Sequence, residues 1–196
     1  MPAAPRVLVG LGNPGEEYED SRHNIGFRVA NLLAERCKLT FDLHKNNAVQ
    51  GLGTWRGRRV VVSKPTTFMN RSGQAVLALM KQHRVSSRDV LVIVDDIHLP
   101  LGEVRLRATG GSGGHNGVQD IIDRMGGGDF PRLRVGIGRE FSRGGQSDFV
   151  LSPFDESEGP DVVAAIDRAV EAALTYVVDG VEVAMSRHNR RISRDD

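Results

Sequence analysis

The chain begins its first regular element with Val7-Leu8-Val9-Gly10-Leu11, followed by the polar segment Gly12-Asn13-Pro14-Gly15-Glu16-Glu17-Tyr18-Glu19-Asp20-Ser21-Arg22-His23-Asn24. The apolar run predicts a buried strand over residues 6–11. Ligand sites in open α/β sheets lie beyond the carboxyl ends of the strands. Because His23 and two amides, Asn13 and Asn24, follow this strand end, the segment predicts a functional site there.

Strand and helix patterns alternate along the rest of the chain. Apolar or alternating runs predict strands, and apolar residues at helical spacing predict helices, with Ser72 as the candidate cap of the second helix. The alternation favours an α/β fold, with a single three-layer α/β/α domain over residues 1–196 around a mixed, mostly parallel twisted sheet. The predicted strands cover 6–11, two runs of a hairpin within 47–63, 90–94, 103–107 at an edge and 133–137, and the helices cover 25–37, 76–83, 118–125 and 162–178.

Composition narrows the class of protein. With 196 residues the chain is long enough for one sizeable core, and its net charge of +1 does not by itself indicate nucleic-acid binding. The single cysteine, Cys37, excludes an internal disulfide and a cysteine-rich zinc site. The first residues lack the apolar run of a secretory signal, and no apolar stretch reaches the length of a membrane span. We therefore expect a cytoplasmic protein without a membrane segment.

One base and one acid stand out among the polar residues. His23 lies in a polar segment rather than on an apolar face, and a neutral imidazole can take a proton from water near neutral pH. Asp95 follows the predicted strand 90–94 and is suited to hold the second ring nitrogen. Its neighbour Asp96 should point to the other face of the sheet. The alternatives for the two acids are a loop cap or metal ligands; we predict no metal site, because no histidine or glutamate motif accompanies them.

Three amides, Asn13, Asn70 and Asn116, fall at predicted junctions between elements. Each can donate and accept hydrogen bonds without carrying charge, which suits recognition of peptide amides and of a developing oxyanion. Turn formation is the alternative for each of them. The glycine-rich segment 110–117 either gives backbone N–H groups room to approach a ligand or is a flexible connector. His115 within it is better suited to positioning than to acting as a second base.

Residues 10–15, Gly-Leu-Gly-Asn-Pro-Gly, also match the G-x-G-x-x-G dinucleotide pattern that follows a strand. The context disfavours that function, because a phosphate-binding loop should open directly into a helix. Here four carboxylates follow, and the helical pattern begins only near Ile25. The acid expected about twenty residues further on, Glu35, lies inside that helix. A nucleotide-dependent oxidoreductase is therefore a distant alternative.

Four motif-like segments follow one another within residues 6–150. They are Val9-Gly10-Leu11-Gly12-Asn13-Pro14-Gly15 with Tyr18 and Arg22-His23-Asn24-Ile25-Gly26-Phe27; Lys64-Pro65-Thr66-Thr67-Phe68-Met69-Asn70-Arg71-Ser72-Gly73; Asp95-Asp96 to Leu99-Pro100 with Gly113-Gly114-His115-Asn116-Gly117; and Phe130-Pro131-Arg132-Leu133-Arg134-Val135-Gly136-Ile137-Gly138-Arg139. Together they resemble the signatures of the bacterial-type peptidyl-tRNA hydrolase family. Each motif alone is moderately specific, but four in register are highly specific.

The resemblance implies an α/β/α esterase that acts as a monomer on peptidyl-tRNA, cleaving the ester between the peptide and the terminal ribose. We expect no cofactor. The family's base maps to His23, its histidine-orienting acid to Asp95, and its amide that separates blocked from free aminoacyl-tRNA to Asn13. The remaining correspondences are substrate-contacting positions at Tyr18, Phe68, Asn70 and Asn116, a site-lining position at Met69, and tRNA phosphate contacts at Arg107 and Arg134.

Three positions depart from the family pattern. Arg71 replaces an apolar residue, Ile97-His98 replaces Leu-Asp, and Ser186-Arg187-His188-Asn189 replaces an Asn-x-Phe-Asn ending. None of them removes a chemical group assigned above, so they bear on substrate affinity and tail packing rather than on the reaction. A non-enzymatic RNA-binding protein on the same fold is the strongest alternative, because it could keep the same motifs. A hydrolysis assay with a blocked aminoacyl-tRNA separates the two.

Overall fold

The computed structural model describes residues 3–189 and shows a seven-stranded sheet; residues 1, 2 and 190–196 of the predicted domain lie outside the described residues. The strands lie in the order β2-β3-β4-β1-β5-β7-β6. Their bounds are β1 (Arg6–Gly10), β2 (Leu43–Lys45), β3 (Ala48–Trp55), β4 (Arg58–Pro65), β5 (Val90–Asp96), β6 (Val104–Arg107) and β7 (Arg132–Gly136). The four central strands β4, β1, β5 and β7 run parallel, and the outer strands pair antiparallel. The sheet is therefore mixed, with a parallel centre.

Helices cover both faces of the sheet. They are α1 (Ile25–Arg36), α2 (Ser72–His83), α3 (Asn116–Met125), α4 (Gln146–Leu151), α5 (Gly159–Asp179) and α6 (Val181–His188). One core contains side chains of α1, α5 and α6, and the other contains side chains of α2 and α3. The predicted three-layer α/β/α fold is confirmed. Within residues 3–189, no helix combines the length and the apolar character needed to cross a membrane.

Alternation along the central strands divides the apolar side chains between the two cores. In β1, Leu8 joins the core with α1 and α5, whereas Val7 and Val9 join the core with α2 and α3. In β5, Leu91 and Ile93 alternate with valines in the same way. All of these side chains are fully buried, and each such burial stabilises the fold by about 1.5–3 kcal/mol. Strands that carry apolar residues on both faces belong at the centre of a covered sheet.

Two glycines, Gly10 and Gly26, allow α1 to pack directly against the end of β1. A Cβ atom at Gly10 would lie 2.1 Å from the Gly26 carbonyl oxygen, and one at Gly26 would lie 2.4 Å from the Leu11 carbonyl oxygen. A Cβ at Gly12 would meet the ring of Phe27 at 2.8 Å. The close approach of α1 therefore accounts for the first two glycines of the G-x-G-x-x-G match, with no need for a phosphate ligand.

The sequence patterns missed three short elements and misplaced one cap. Strand β2 and helices α4 and α6 were not predicted, because three to eight residues carry too little periodicity to identify. Ser72 is the first residue of α2 rather than its cap, and its hydroxyl donates to the Met69 carbonyl at 2.7 Å. The hairpin of β3 and β4 and the edge position of β6 are confirmed.

We predict that Gly10→Ala lowers the free energy of unfolding by about 1–3 kcal/mol or more, because the new methyl group must displace the backbone of α1. Gly127→Ala is the matched control, since a Cβ there would meet nothing within 4 Å, and its free energy of unfolding should change by less than about 0.5 kcal/mol. Urea denaturation followed by circular dichroism measures both. Equal stability of the two variants would contradict the close packing of α1 on β1.

Candidate active site

A wide cleft of about 960 Å³ lies at the carboxyl ends of the central strands. The turn Arg22–Asn24, which precedes α1, brings His23 to it from β1, and the end of β5 brings Asp95. This is the edge at which the segment after β1 predicted a site. The cleft is lined by nine of the ten predicted site residues, which are Asn13, His23, Phe68, Met69, Asn70, Asp95, Arg107, Asn116 and Arg134.

His23 and Asp95 are in direct contact, as their predicted pairing requires. Nδ1 of His23 lies 2.8 Å from Oδ1 of Asp95, and both residues are buried. Burial by itself would raise the pKa of the Asp95 carboxyl, but the two histidines beside it outweigh that effect and hold the pKa well below its usual value. An ionised carboxylate only accepts hydrogen bonds, so His23 donates from Nδ1. In the neutral imidazole, Nε2 then carries no proton and can accept one.

The second histidine is His115, which the sequence suggested for positioning. Its Nε2 lies 2.9 Å from the same Oδ1 atom of Asp95. Its Nδ1 accepts the backbone N–H groups of Gly117 and Val118 at 3.1 and 3.2 Å, and so caps α3. Because Nδ1 must be an acceptor, the proton of neutral His115 is on Nε2 and is donated to Asp95. Both ring nitrogens are therefore engaged.

The cluster of His23, Asp95 and His115 also has the residue types of a metal site, and its candidate ligand atoms lie within 4.8 Å of one another. The hydrogen bonds described above already use Nδ1 of His23, Oδ1 of Asp95 and both ring nitrogens of His115. His115 could offer Nε2 to a cation only by losing the proton from it, while Nδ1 still faces two backbone donors. The geometry of the cluster suits hydrogen bonding better than metal coordination.

Asn13 has a fixed orientation at the cleft wall. Its Oδ1 accepts the Met69 backbone N–H at 2.7 Å, so its Nδ2 donors are left to face the cleft. The side chain of Asn24 holds the Asn13 backbone on both sides, accepting from its N–H at 2.8 Å and donating to its carbonyl at 2.9 Å. Asn24 was part of the predicted cluster, and its contacts give it this supporting place rather than one at the cleft.

The other predicted substrate positions lie at the rim. Phe68 is 54% exposed, and Asn70 and Asn116 are exposed beside it and at the start of α3. Met69 is buried behind them. Tyr18 does not line the cleft; its ring meets the Phe68 ring edge-on, with centroids 6.4 Å apart. Tyr18 therefore supports Phe68 instead of facing the cleft.

The ionised groups that line the cleft are four arginines and two aspartates, which give it an excess of positive charge. Arg134 is already paired with Asp96, which lines the same cleft as Asp95. Arg132 is buried and donates to the carbonyls of Gly111 and Gly128, each at 2.8 Å; burial lowers its pKa to about 10, and the charge of Arg134 adds to the shift. Within residues 3–189, the guanidinium groups of Arg107 and Arg71 have no ion-pair partner.

Sequence reasoning missed one wall of the cleft. Helix α4 contributes Gln146, Ser147, Val150 and Leu151, for which the sequence patterns predicted neither a helix nor a site residue. The only available signal was the apolar pair Val150-Leu151, which is too short to separate a cleft wall from an ordinary surface turn. The sequence shows Arg71 only as a departure from the family pattern, and that departure does not indicate that Arg71 lines the cleft.

Comparison with known proteins decides the family. A model of the family described as "Peptidyl-tRNA hydrolase" matches residues 7–195. The chain belongs to the peptidyl-tRNA hydrolase family. Curated peptidyl-tRNA hydrolases from Salinibacter ruber and Chlorobium phaeobacteroides are each 46% identical to it, over 95% of this chain and 100% and 98% of theirs. A crystal structure of the peptidyl-tRNA hydrolase from Acinetobacter baumannii is 36% identical, covers 96% of both chains and has a TM-score of 0.89.

The three departures from the peptidyl-tRNA hydrolase pattern have distinct places in the structure. Arg71 adds a cation to the cleft. His98 donates from Nε2 to the Gly113 carbonyl at 3.0 Å and so contacts the glycine-rich segment. In the tail, Asn189 accepts from the Leu106 N–H at 2.7 Å and donates to its carbonyl at 2.9 Å, so the retained amide pairs with the edge strand β6. None of these contacts alters His23 or Asp95.

We predict opposite neutral tautomers for the two histidines that share Asp95. His23 should carry its proton on Nδ1 and His115 on Nε2, because Asp95 accepts from both. Long-range ¹H–¹⁵N correlation spectra of the neutral side chains distinguish the tautomers, with the exposed His44 as an internal reference. Finding the His23 proton on Nε2 would contradict the assigned hydrogen bond.

Proposed function

We propose that this protein hydrolyses the ester bond between the peptide and the tRNA in peptidyl-tRNA, and that His23 activates the attacking water. The observation that carries the mechanism is the contact between His23 Nδ1 and the buried, ionised Asp95 at 2.8 Å in an open, positively charged cleft. Membership of the peptidyl-tRNA hydrolase family supports the substrate. We further propose that the protein acts as a monomer in the cytoplasm, where peptidyl-tRNA arises during translation.

The reaction begins with a proton transfer. Water bound near the ester carbonyl gives a proton to Nε2 of His23, and the oxygen forms a bond to the carbonyl carbon. Asp95 stabilises the imidazolium that results. The tetrahedral intermediate then breaks its bond to the ribose oxygen, which takes the proton back from the imidazolium. The products are a free peptide carboxylic acid, which releases its remaining proton to the solvent at neutral pH, and a tRNA with its terminal hydroxyl restored.

Amide groups provide the donors that the developing oxyanion requires. Asn13 is the best placed, because its Oδ1 is already occupied by Met69 and its Nδ2 is left as a donor toward the cleft. Asn70 and Asn116 line the same cleft and can bind the peptide backbone. A free aminoacyl-tRNA should be a poor substrate, because its charged amine would lose its hydration where an uncharged amide belongs.

His115 is a positioning residue in this mechanism. It donates to Asp95 while capping α3, and so fixes the carboxylate against the first turn of that helix. It has no free ring nitrogen with which to take a proton from water. The intact pair of His23 and Asp95 favours hydrolysis over a purely RNA-binding role, since tRNA affinity alone does not require a buried, oriented imidazole.

A hydrolysis assay with N-acetylaminoacyl-tRNA tests the reaction. We predict that His23→Ala lowers turnover by roughly 10²–10⁴ because the general base is lost. His44→Ala, which removes an exposed histidine from β2, should leave turnover unchanged. Near-normal turnover of a folded His23→Ala protein would exclude the proposed base, and failure of the wild-type protein to hydrolyse the substrate would leave RNA binding as the better function.

We predict that Arg107→Ala weakens tRNA binding and lowers the slope of log K against log salt by about one, because one phosphate contact is lost. Arg134→Ala should have a smaller effect, since the Arg134 guanidinium is already held by Asp96. Arg36→Ala, on α1 and outside the cleft, is the control. Fluorescence titrations of labelled tRNA between 50 and about 200 mM salt measure the slopes. Unchanged slopes for Arg107 and Arg134 variants would remove both from the phosphate site.

A further inference from the structure

Arg22 lies directly before His23 and is almost completely buried, with 5% of its surface exposed. A buried guanidinium is unfavourable unless it is paired and hydrogen-bonded. Here it meets Glu158 in a two-pronged ion pair, with Nη1 2.9 Å from Oε1 and Nη2 2.8 Å from Oε2. Its flat faces pack on the rings of Phe149 and Phe154, whose centroids lie 4.4 and 4.8 Å from the guanidinium carbon.

The backbone at Arg22 is tied to the same region. Its N–H donates to the Ser152 carbonyl at 2.9 Å, and Ser21 forms an isolated antiparallel bridge with Pro153. The partners of Arg22 therefore come from α4, from the segment that follows it, and from the short turn Glu156–Glu158 directly before α5. Helix α4 is the wall of the cleft that carries Val150 and Leu151. Arg22 thus joins the turn that carries His23 to this wall.

The acidic partner is held as firmly as Arg22 itself. Oε2 of Glu158 also accepts the backbone N–H of Asp155 at 2.7 Å and completes a capping box there. The hydrogen bond from Arg22 holds the pKa of Glu158 below its usual value, so the carboxylate stays ionised at neutral pH. The pair is therefore charged, bidentate and fixed at both ends, which distinguishes it from an exposed ion pair.

We propose that Arg22 and Glu158 are positioning residues that fix helix α4 against the His23 turn and so set the angle at which the ester meets the imidazole. The inference rests on the proposed function, because it assigns these residues to the turnover of that site. Neither side chain takes part in the chemistry. A misplacement of the reacting groups by about 1 Å can lower the rate about a hundredfold, so a small rotation of the turn is sufficient to slow turnover.

Glu158→Gln tests the pair with little change of shape, and Asp89→Asn is the matched control. Asp89 pairs with Arg6 at 2.6 Å, and Arg6 packs on the Tyr176 ring at 5.2 Å, but that pair lies at the other end of β1. We expect Glu158→Gln to lower kcat for N-acetylaminoacyl-tRNA by about 10- to 100-fold. Asp89→Asn should keep kcat within about twofold, because a surface change away from the site perturbs only stability. Arg22→Lys retains the positive charge but not the two-pronged geometry, so its loss of kcat should be smaller than that of Glu158→Gln. This variant replaces Glu158→Gln as the test if Glu158→Gln does not fold.

The proton resonance of His23 Nδ1 gives a second measurement that does not depend on catalysis. It should shift or broaden in Glu158→Gln and stay unchanged in Asp89→Asn. Two results would overturn the inference. In the first, Glu158→Gln leaves both kcat and the His23 resonance unchanged. In the second, kcat falls in Glu158→Gln and in Asp89→Asn only in proportion to the thermal stability that each variant loses. If the wild-type protein fails to hydrolyse the substrate, the proposed function fails, and the His23 resonance still tests the contact of the turn with α4.

Discussion

Asp95 is the residue on which the geometry of the cleft depends. Its carboxylate lies at the end of a central strand, buried from water, and one of its oxygens accepts from two histidines that come from distant parts of the chain. A buried carboxylate without partners would be strongly unfavourable. The ring N–H groups of the two histidines offset this cost, and the charged carboxylate fixes the orientation of both rings. His23 is left with an open Nε2, whereas His115 is held at the first turn of α3.

Two sets of contacts bring the His23 turn to that carboxylate. On one side, Gly10 and Gly26 let α1, which begins directly after this turn, pack closely against β1. On the other side, Arg22 ties the same turn to α4 through Glu158 and two phenylalanine rings. The imidazole is therefore placed by backbone packing and by a buried ion pair, and its ring orientation is set by Asp95.

The sequence was sufficient for those parts of the site that follow from strand ends and family motifs. His23 and Asp95 could be paired because parallel strands end at the same edge of a sheet. The orientation of Asn13 could not be predicted, since it depends on a backbone N–H at Met69, 56 residues away. The pairing of Arg134 with Asp96 and the contact of Arg22 with Glu158, 136 residues apart, were equally inaccessible. The sequence shows where the arginines are, but only the folded structure shows which of them already pair with a carboxylate.

In the proposed mechanism, Asp95 contributes to catalysis only through the imidazole of His23. A double-mutant cycle on kcat tests it most directly, using Asp95→Ala, His23→Ala and the double variant with one blocked aminoacyl-tRNA. If the carboxylate acts through the imidazole, the double variant should be no slower than His23→Ala alone. Losses that multiply, so that removing Asp95 slows the His23→Ala protein as much as it slows the wild type, would contradict the claim.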